Sequence, residues 1–102
     1  MSFIQIIEHR ADDFDKLRAL EEEWEKATEG KSTARRAIVT EDRNEPGHYF
    51  SIVFFDSYES AMVNSNLPET QEMAAKLAAA SKEPATFYDL DVVDDRSPSG
   101  GA

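Results

Sequence analysis

The sequence contains no cysteine, and this absence excludes disulfides, thiolate nucleophiles and cysteine metal sites. A chain without cysteine suits the reducing cytoplasm, which is the location we expect. Basic residues are scarce too, since 11 lysines and arginines face 21 acidic residues and the net charge is −10. Such a charge repels phosphate groups, so neither nucleic acid nor an anionic membrane surface is an expected partner.

Long apolar runs are also absent from the sequence. No stretch approaches the ~20 apolar residues that cross a bilayer, and no basic segment followed by an apolar run predicts a signal peptide. The sequence has no metal-ligand motif, nucleophile elbow, phosphate-binding loop or cofactor motif. We therefore expect neither a bound metal nor a cofactor, and the sequence leaves open whether the protein is an enzyme.

The apolar residues that are present suffice for one folded domain. The chain has 102 residues, of which 40% are hydrophobic, and this composition argues against disorder. We expect the domain to span residues 1–93. Residues 94–102 read DDRSPSGGA, which offers nothing to bury, so this segment is predicted to be a flexible tail.

Apolar patterning predicts four strands and two long helices. The strands are expected at residues 3–9, 33–40, 48–55 and 86–93. The first helix runs from a cap at Asp12 or Asp13 to residue 28, and the second from a cap at Asp56 or Ser57 to residue 81. Pro68 predicts a break within the second helix, because proline favours the first turn of a new segment.

The order β-α-β-β-α-β predicts an α+β, ferredoxin-like fold. Right-handed crossovers give an antiparallel sheet in the order 4-1-3-2 with both helices on one face. The third strand nevertheless carries apolar side chains on both faces, such as Ile52 and Val53. A lone subunit would expose one of these faces. We therefore expect a homodimer that packs sheet to sheet into an α+β barrel.

The sequence contains the segments FIQIIEH, LEEEW, HYFSIVFFDSYESAM and NLPETQEMA. Together they resemble small dimeric α+β barrel proteins, which include the antibiotic-biosynthesis monooxygenase-like family and many uncharacterised actinobacterial proteins. The resemblance covers residues 3–93 and implies the same dimeric fold. Members of this group include cofactor-free oxygenases, haem-degrading enzymes, polyketide cyclases and isomerases, so the fold does not select a reaction.

The resemblance leaves two functions open. One is a cofactor-free enzyme, monooxygenase-like or cyclase- or isomerase-like, that acts on a small aromatic or polyketide-like molecule. The alternative is a non-catalytic dimeric module that binds a small hydrophobic ligand or serves as a structural partner. Haem binding of the family type is disfavoured, because residues 56–81 contain no histidine.

The two histidines, His9 and His48, are expected at the same end of adjacent strands, near Glu41 and Asp89. A histidine beside a carboxylate there could move protons, and two histidines with a carboxylate could hold a metal. Ordinary contacts with the neighbouring loops are the simpler interpretation, because the spacing matches no metal motif.

Pockets in the proteins that this chain resembles lie between sheet and helices, beside the break in the second helix. The candidate catalytic residues are therefore His48 and Asn64, the latter as a donor to an oxyanion. The candidate ligand-binding residues are His9, Trp24, Tyr49, Tyr58, Asn66 and Tyr88. Simpler structural roles are also open, since the two asparagines could cap the break and Trp24 could belong to the apolar stripe of the first helix.

Overall fold

The computed structural model describes residues 2–81 and 83–96, which form four strands and three helices. The strands are β1 (Phe3–Arg10), β2 (Arg36–Glu41), β3 (His48–Phe55) and β4 (Thr86–Asp91). The helices are α1 (Phe14–Ala27), α2 (Tyr58–Ser65) and α3 (Pro68–Ala80). Residues 97–102 of the predicted tail lie outside the described residues, so the tail remains a prediction.

The helix ends follow local hydrogen bonding. Asp13, not Asp12, caps α1, and its side chain accepts from the backbone of Asp15 and Lys16. Ser57 caps α2 through the backbone N–H of Ser60, so the alternative cap at Asp56 is wrong. The predicted second helix is two helices, because proline at the start of α3 has no N–H to continue α2.

The second strand begins at Arg36, three residues later than predicted. The preceding residues make hydrogen bonds with α2 instead of extending the strand. The Thr33 hydroxyl donates to the backbone carbonyl of Ser60, and the Ser32 hydroxyl donates to the side chain of Asn64 at 3.0 Å. This connection therefore fastens α2 to the sheet edge.

The sheet has the order β2-β3-β1-β4 with every neighbouring pair antiparallel, which confirms the predicted 4-1-3-2 order. The register pairs Phe3 with Phe55 on one side and with Asp91 on the other. Alternate residues of a strand face opposite sides of the sheet, so this register decides which side chains meet the helices.

Two buried clusters hold the helices against one face of the sheet. The first contains Phe3, Val53, Phe55 and Ala61, and so joins α2 to the central strands. The second contains Ala11, Leu17, Tyr49 and Leu77, and so joins α1 and α3 to the other end of the sheet. All three helices therefore lie on the face that these strand residues share.

The opposite face of the sheet, which we call the open face, carries a continuous set of apolar side chains. The register places on this face Ile4, Ile6, Ile38, Phe50, Ile52, Phe54, Tyr88 and Leu90. No helix within residues 2–81 and 83–96 covers them, and Tyr88 and Leu90 are 41% and 43% exposed. Within the same residues, no helix combines the length and apolarity that crossing a membrane requires.

Candidate functional site

A cavity of about 180 Å³ lies between the sheet and the helices. Its lining joins the two buried clusters and is mostly apolar. The apolar side chains are Ile7, Trp24, Val53, Phe55, Met73, Ala74, Leu77 and Phe87. Because an apolar cavity of about 150 Å³ is enough to hold benzene, this one has room for one or two fused rings.

Glu21 is the functional group that distinguishes this cavity. It projects from α1, and among the described residues that line the cavity it alone is ionisable. Burial raises the pKa of the Glu21 carboxyl, and an interaction with the Ser51 hydroxyl opposes this with a smaller effect. A raised pKa makes the ionised carboxylate a stronger base, so it can take up a proton and return it more readily.

Ser51 connects this carboxyl to a buried histidine beneath the cavity. His9 is only 2% exposed, and its Nε2 lies 3.2 Å from the Ser51 hydroxyl oxygen. Burial lowers the pKa of His9, with the neighbouring His48 acting in the same direction, so the ring is neutral at pH 7. Its Nδ1 has no hydrogen-bond partner, which fits a tautomer with the proton on Nε2. Glu21, Ser51 and His9 thus form a polar chain on an otherwise apolar sheet face.

The polar residues that border the cavity besides Glu21 are Gln5, Asn64, Ser65, Thr70 and Gln71. Asn64 is 4% exposed, and because its Oδ1 accepts from Ser32, its N–H₂ group remains for another partner. The indole N–H of Trp24 donates to the Thr70 hydroxyl at 3.1 Å. The cavity therefore combines an aromatic wall, one carboxyl and one buried amide.

Comparison with known proteins gives a structural match and no sequence match. No protein-family model matches the sequence, and neither does any curated protein. A candidate antibiotic biosynthesis monooxygenase from Deinococcus radiodurans superposes with a TM-score of 0.75 at 17% identity, covering 93% of this chain and 96% of that one. The chain shares its ferredoxin-like fold.

Two more structures with this ferredoxin-like fold are comparably similar. A candidate antibiotic biosynthesis monooxygenase from Chloroflexus aurantiacus gives a TM-score of 0.71 at 19% identity, covering 95% and 98% of the two chains. SnoaB, a cofactor-independent oxygenase from Streptomyces nogalater, superposes with a TM-score of 0.79 at 9% identity. The match covers 92% of this chain and 95% of that one. Because such identities are low, these likenesses establish the fold alone.

Within this ferredoxin-like fold, three of the predicted site residues lie at or near the cavity. Asn64 and Trp24 line it, and His9 reaches it only through Ser51. Tyr49 is buried close by, but it stacks on the His9 ring at a centroid distance of 5.9 Å and does not line the cavity.

The other predicted residues lie elsewhere. Tyr58 is half-exposed and packs edge-on against Phe3, and Asn66 is the C-cap of α2. Tyr88 and His48 belong to the open face, because they pair with residues of β1 that point away from the helices.

The two histidines are therefore separated by the sheet. They lie at the same end of it, as expected, since His9 pairs with Tyr49 and His48 with Arg10. Neighbouring residues of a strand point to opposite faces, however, so the rings cannot share a ligand. A site with both histidines and a carboxylate is wrong for this fold, and His48 cannot act on a molecule in the cavity.

Sequence reasoning missed Glu21 and Ser51, although each leaves a weak signal. Glu21 stands four residues after Leu17 and three before Trp24, so its helical position belongs to the apolar stripe. Ser51 interrupts the helix-facing row Tyr49, Val53 and Phe55 with a hydroxyl. A lone polar residue inside an apolar periodicity is the pattern that both share.

The raised pKa of Glu21 predicts a pH-dependent stability difference. Below the pKa of Glu21 in the unfolded chain, the carboxyl is neutral in both the folded and the unfolded protein. As pH rises through the higher pKa of the folded protein, the carboxyl must ionise while buried, and the folded protein loses stability. Glu21→Gln should therefore match the parent at acidic pH and be more stable than it at alkaline pH, as measured by urea unfolding.

The control for this measurement is Glu22→Gln, because Glu22 is exposed on the same helix. This variant should follow the parent at every pH. A Glu21→Gln protein that is less stable than the parent across the whole range would show that the charged carboxylate stabilises the fold.

Proposed function

We propose that the protein is a cofactor-free enzyme that moves a proton on a small aromatic phenol or ketone held in the cavity. The observation that carries this proposal is Glu21, the ionisable residue of an apolar cavity with room for one or two rings. Its burial raises the pKa of this carboxyl, which strengthens the carboxylate as a base.

The chemistry needs a base and a donor to the oxyanion. The Glu21 carboxylate takes a proton from a C–H beside the substrate carbonyl, or from a phenol O–H, and the bonding electrons move towards the substrate oxygen. The N–H₂ group of Asn64 can donate to this oxygen as negative charge develops there. Return of the proton to another carbon completes an isomerisation.

Deprotonation beside the carbonyl gives an enolate, and this enolate can react with dioxygen instead of taking the proton back. Reaction at a ring CH₂ places one oxygen atom in a new carbonyl and releases the other as water, so the substrate itself supplies the electrons. SnoaB, which has this fold, is described as a cofactor-independent oxygenase. That description supports an oxygenase reaction as one of the two candidates, and it does not favour this reaction over isomerisation.

We further propose that the working form is a homodimer joined through the open face. Each of the four strands contributes apolar side chains to this face, and a monomer rarely exposes a patch of this kind. A second copy packed sheet to sheet would bury about 1,600 Å², the size of a standard stable interface. The cavities lie on the helix side of each sheet and would stay accessible.

The proposed activity can be tested without knowing the natural substrate. 2-Tetralone is a two-ring ketone whose acidic α-hydrogens exchange with deuterium when an enolate forms. We expect the protein to accelerate this exchange in D₂O, followed by proton NMR, and Glu21→Gln to lower the acceleration about 100-fold or more. Glu22→Gln should retain it, and an oxygen electrode should report whether dioxygen is consumed.

The second candidate function is ligand binding without turnover. It is favoured by the fact that Oδ1 of Asn64 and the indole N–H of Trp24 already have partners within the protein. Trp24 is the single tryptophan, so quenching of its fluorescence by 4-nitrophenol would report occupancy of the cavity. Saturable quenching with no exchange of 2-tetralone would favour the binding module and contradict the enzyme.

A further inference from the structure

We propose that Asp42, Glu45 and His48 form a binding site for a divalent transition-metal ion such as Zn²⁺. The site lies at the start of β3 and in the loop before it, and His48 faces away from the helices. It is therefore separate from the cavity. The sequence predicts no metal there, because three ligands spaced three residues apart in a loop match no known motif.

The central observation is the unpartnered nitrogen of His48. The residue is only 7% exposed, and its Nδ1 is buried without a hydrogen-bond partner. This nitrogen lies 3.2 Å from Oε2 of Glu45 and 3.4 Å from Oδ2 of Asp42. The three ligand atoms lie within 4.8 Å of one another, so one ion could contact all of them after small side-chain rotations.

These separations are those of ligands that share an ion. Zinc binds nitrogen and carboxylate oxygen at about 2.0 to 2.2 Å, which places tetrahedral ligands about 3.3 to 3.6 Å apart. The distances from Nδ1 to Glu45 and Asp42 are 3.2 and 3.4 Å, the first just below that range and the second within it. The imidazole nitrogen thus already lies close to coordination spacing from each of the two carboxylates.

The other ring nitrogen is held in the way that metal-binding histidines require. Nε2 of His48 lies 2.6 Å from Oε2 of Glu8, and Oε1 of Glu8 accepts from the Tyr88 hydroxyl at 2.9 Å. A carboxylate on one nitrogen fixes the proton there and leaves the lone pair on the other. That lone pair belongs to Nδ1, the nitrogen that lies beside Asp42 and Glu45.

The outer oxygens of the two carboxylate ligands are also occupied. Oδ1 of Asp42 accepts from the backbone N–H of Asn44 at 2.9 Å. Oε1 of Glu45 accepts from the guanidinium of Arg10 at 2.9 Å. Each carboxylate is therefore anchored by one oxygen and presents the other to His48.

The loop itself is fixed by Gly47. It has a positive φ of +87°, and a Cβ at this position would lie 3.1 Å from the carbonyl oxygen of Ala11. Its own carbonyl accepts from the Ala11 backbone N–H, which ties the loop to the end of β1. His48 and its two acidic neighbours are thus held on a rigid turn.

Charge and donor chemistry select the ion. The carboxylates of Glu8, Asp42 and Glu45 lie around the imidazole of His48, and among the described residues Arg10 is the one cationic side chain paired with them. Negative charge therefore exceeds positive charge at the site, which favours binding of a cation. One nitrogen with two carboxylate oxygens suits Zn²⁺ or Mn²⁺ better than Mg²⁺ or Ca²⁺, which prefer oxygen ligands alone. A proton is the competing occupant, because the hydrogen bond to Glu8 raises the pKa of His48.

Calorimetry on tag-free protein stripped of metal with a chelator tests this site. We expect Zn²⁺ to bind with one ion per chain and Mg²⁺ at the same concentration to give no heat. Asp42→Asn and Glu45→Gln should each weaken Zn²⁺ binding at least tenfold, and Glu8→Gln about 10- to 100-fold through loss of the imidazole anchor. Glu59→Gln, which changes an exposed carboxylate on α2, should bind as the parent does.

Imidazole ¹⁵N NMR distinguishes the ion from the proton. The chain has two histidines, so only four ring nitrogens contribute to the spectrum. Zn²⁺ should shift Nδ1 of His48 and leave the His9 nitrogens unchanged. The proposal is overturned if Zn²⁺ shifts only His9, if Glu45→Gln binds with parental affinity, or if Nδ1 of His48 keeps a proton in the presence of Zn²⁺.

Discussion

Ile52→Asp should convert the proposed homodimer into a monomer. Ile52 lies near the middle of the open face, between Ile6 of β1 and Ile38 of β2. In a two-fold dimer the substitution places two unpaired carboxylates in the apolar interface. At about 3 kcal/mol for each buried charge, the dimer should weaken about 10⁴-fold. Sedimentation at micromolar concentration measures this directly.

The matched control is Val63→Asp. Val63 is 55% exposed on α2, so this variant adds the same charge on the helix side of the sheet. It should sediment as the parent does, which separates loss of the interface from general repulsion between acidic chains. A parent chain that is a well-folded monomer at this concentration would contradict the interface, and so would an Ile52→Asp dimer of parental affinity.

Ala74→Phe should abolish the proposed activity by filling the cavity. Ala74 lines the cavity from α3, and a phenyl ring there would occupy most of a space of about 180 Å³. We expect exchange of 2-tetralone to fall to the uncatalysed rate and quenching of Trp24 by 4-nitrophenol to disappear. Stability should change by less than about 1.5 kcal/mol, because the ring enters existing space.

Ala75→Phe provides the comparison. Ala75 is the next residue of the same helix, is exposed and does not line the cavity, so this variant should keep both exchange and quenching. If Ala74→Phe remains as active as Ala75→Phe while both stay folded, the reaction takes place outside the cavity.

The fold could be predicted because its signals are local and mutually consistent. The third strand was located to the residue, His48–Phe55, since its apolar run is bounded by a glycine turn and a helix cap. The order of elements and the handedness of crossovers then gave the sheet order. The start of β2 was predicted less accurately. The hydroxyls of Ser32 and Thr33 form hydrogen bonds with α2, and such a tertiary contact cannot be predicted from strand propensity.

The site was predicted less well because it depends on which face each side chain occupies. Asn64 and Trp24 line the cavity, and their roles there stay predictions. His48 does not line it, since a shift of one residue in a strand moves a side chain across the sheet. Glu21 was overlooked because three neighbouring glutamates make the segment resemble a solvated helix face. Its place in the cavity lining and its contact with Ser51 show that it points inward.

The most direct test of the proposed function is to locate the site at which a small aromatic ketone binds. NMR of the protein with 2-tetralone should show intermolecular nuclear Overhauser effects to the methyl groups of Val53, Ala74 and Leu77, which line the cavity. Effects confined to Ile6 and Ile52 would place the ligand on the open face, and that result would contradict a site built around Glu21.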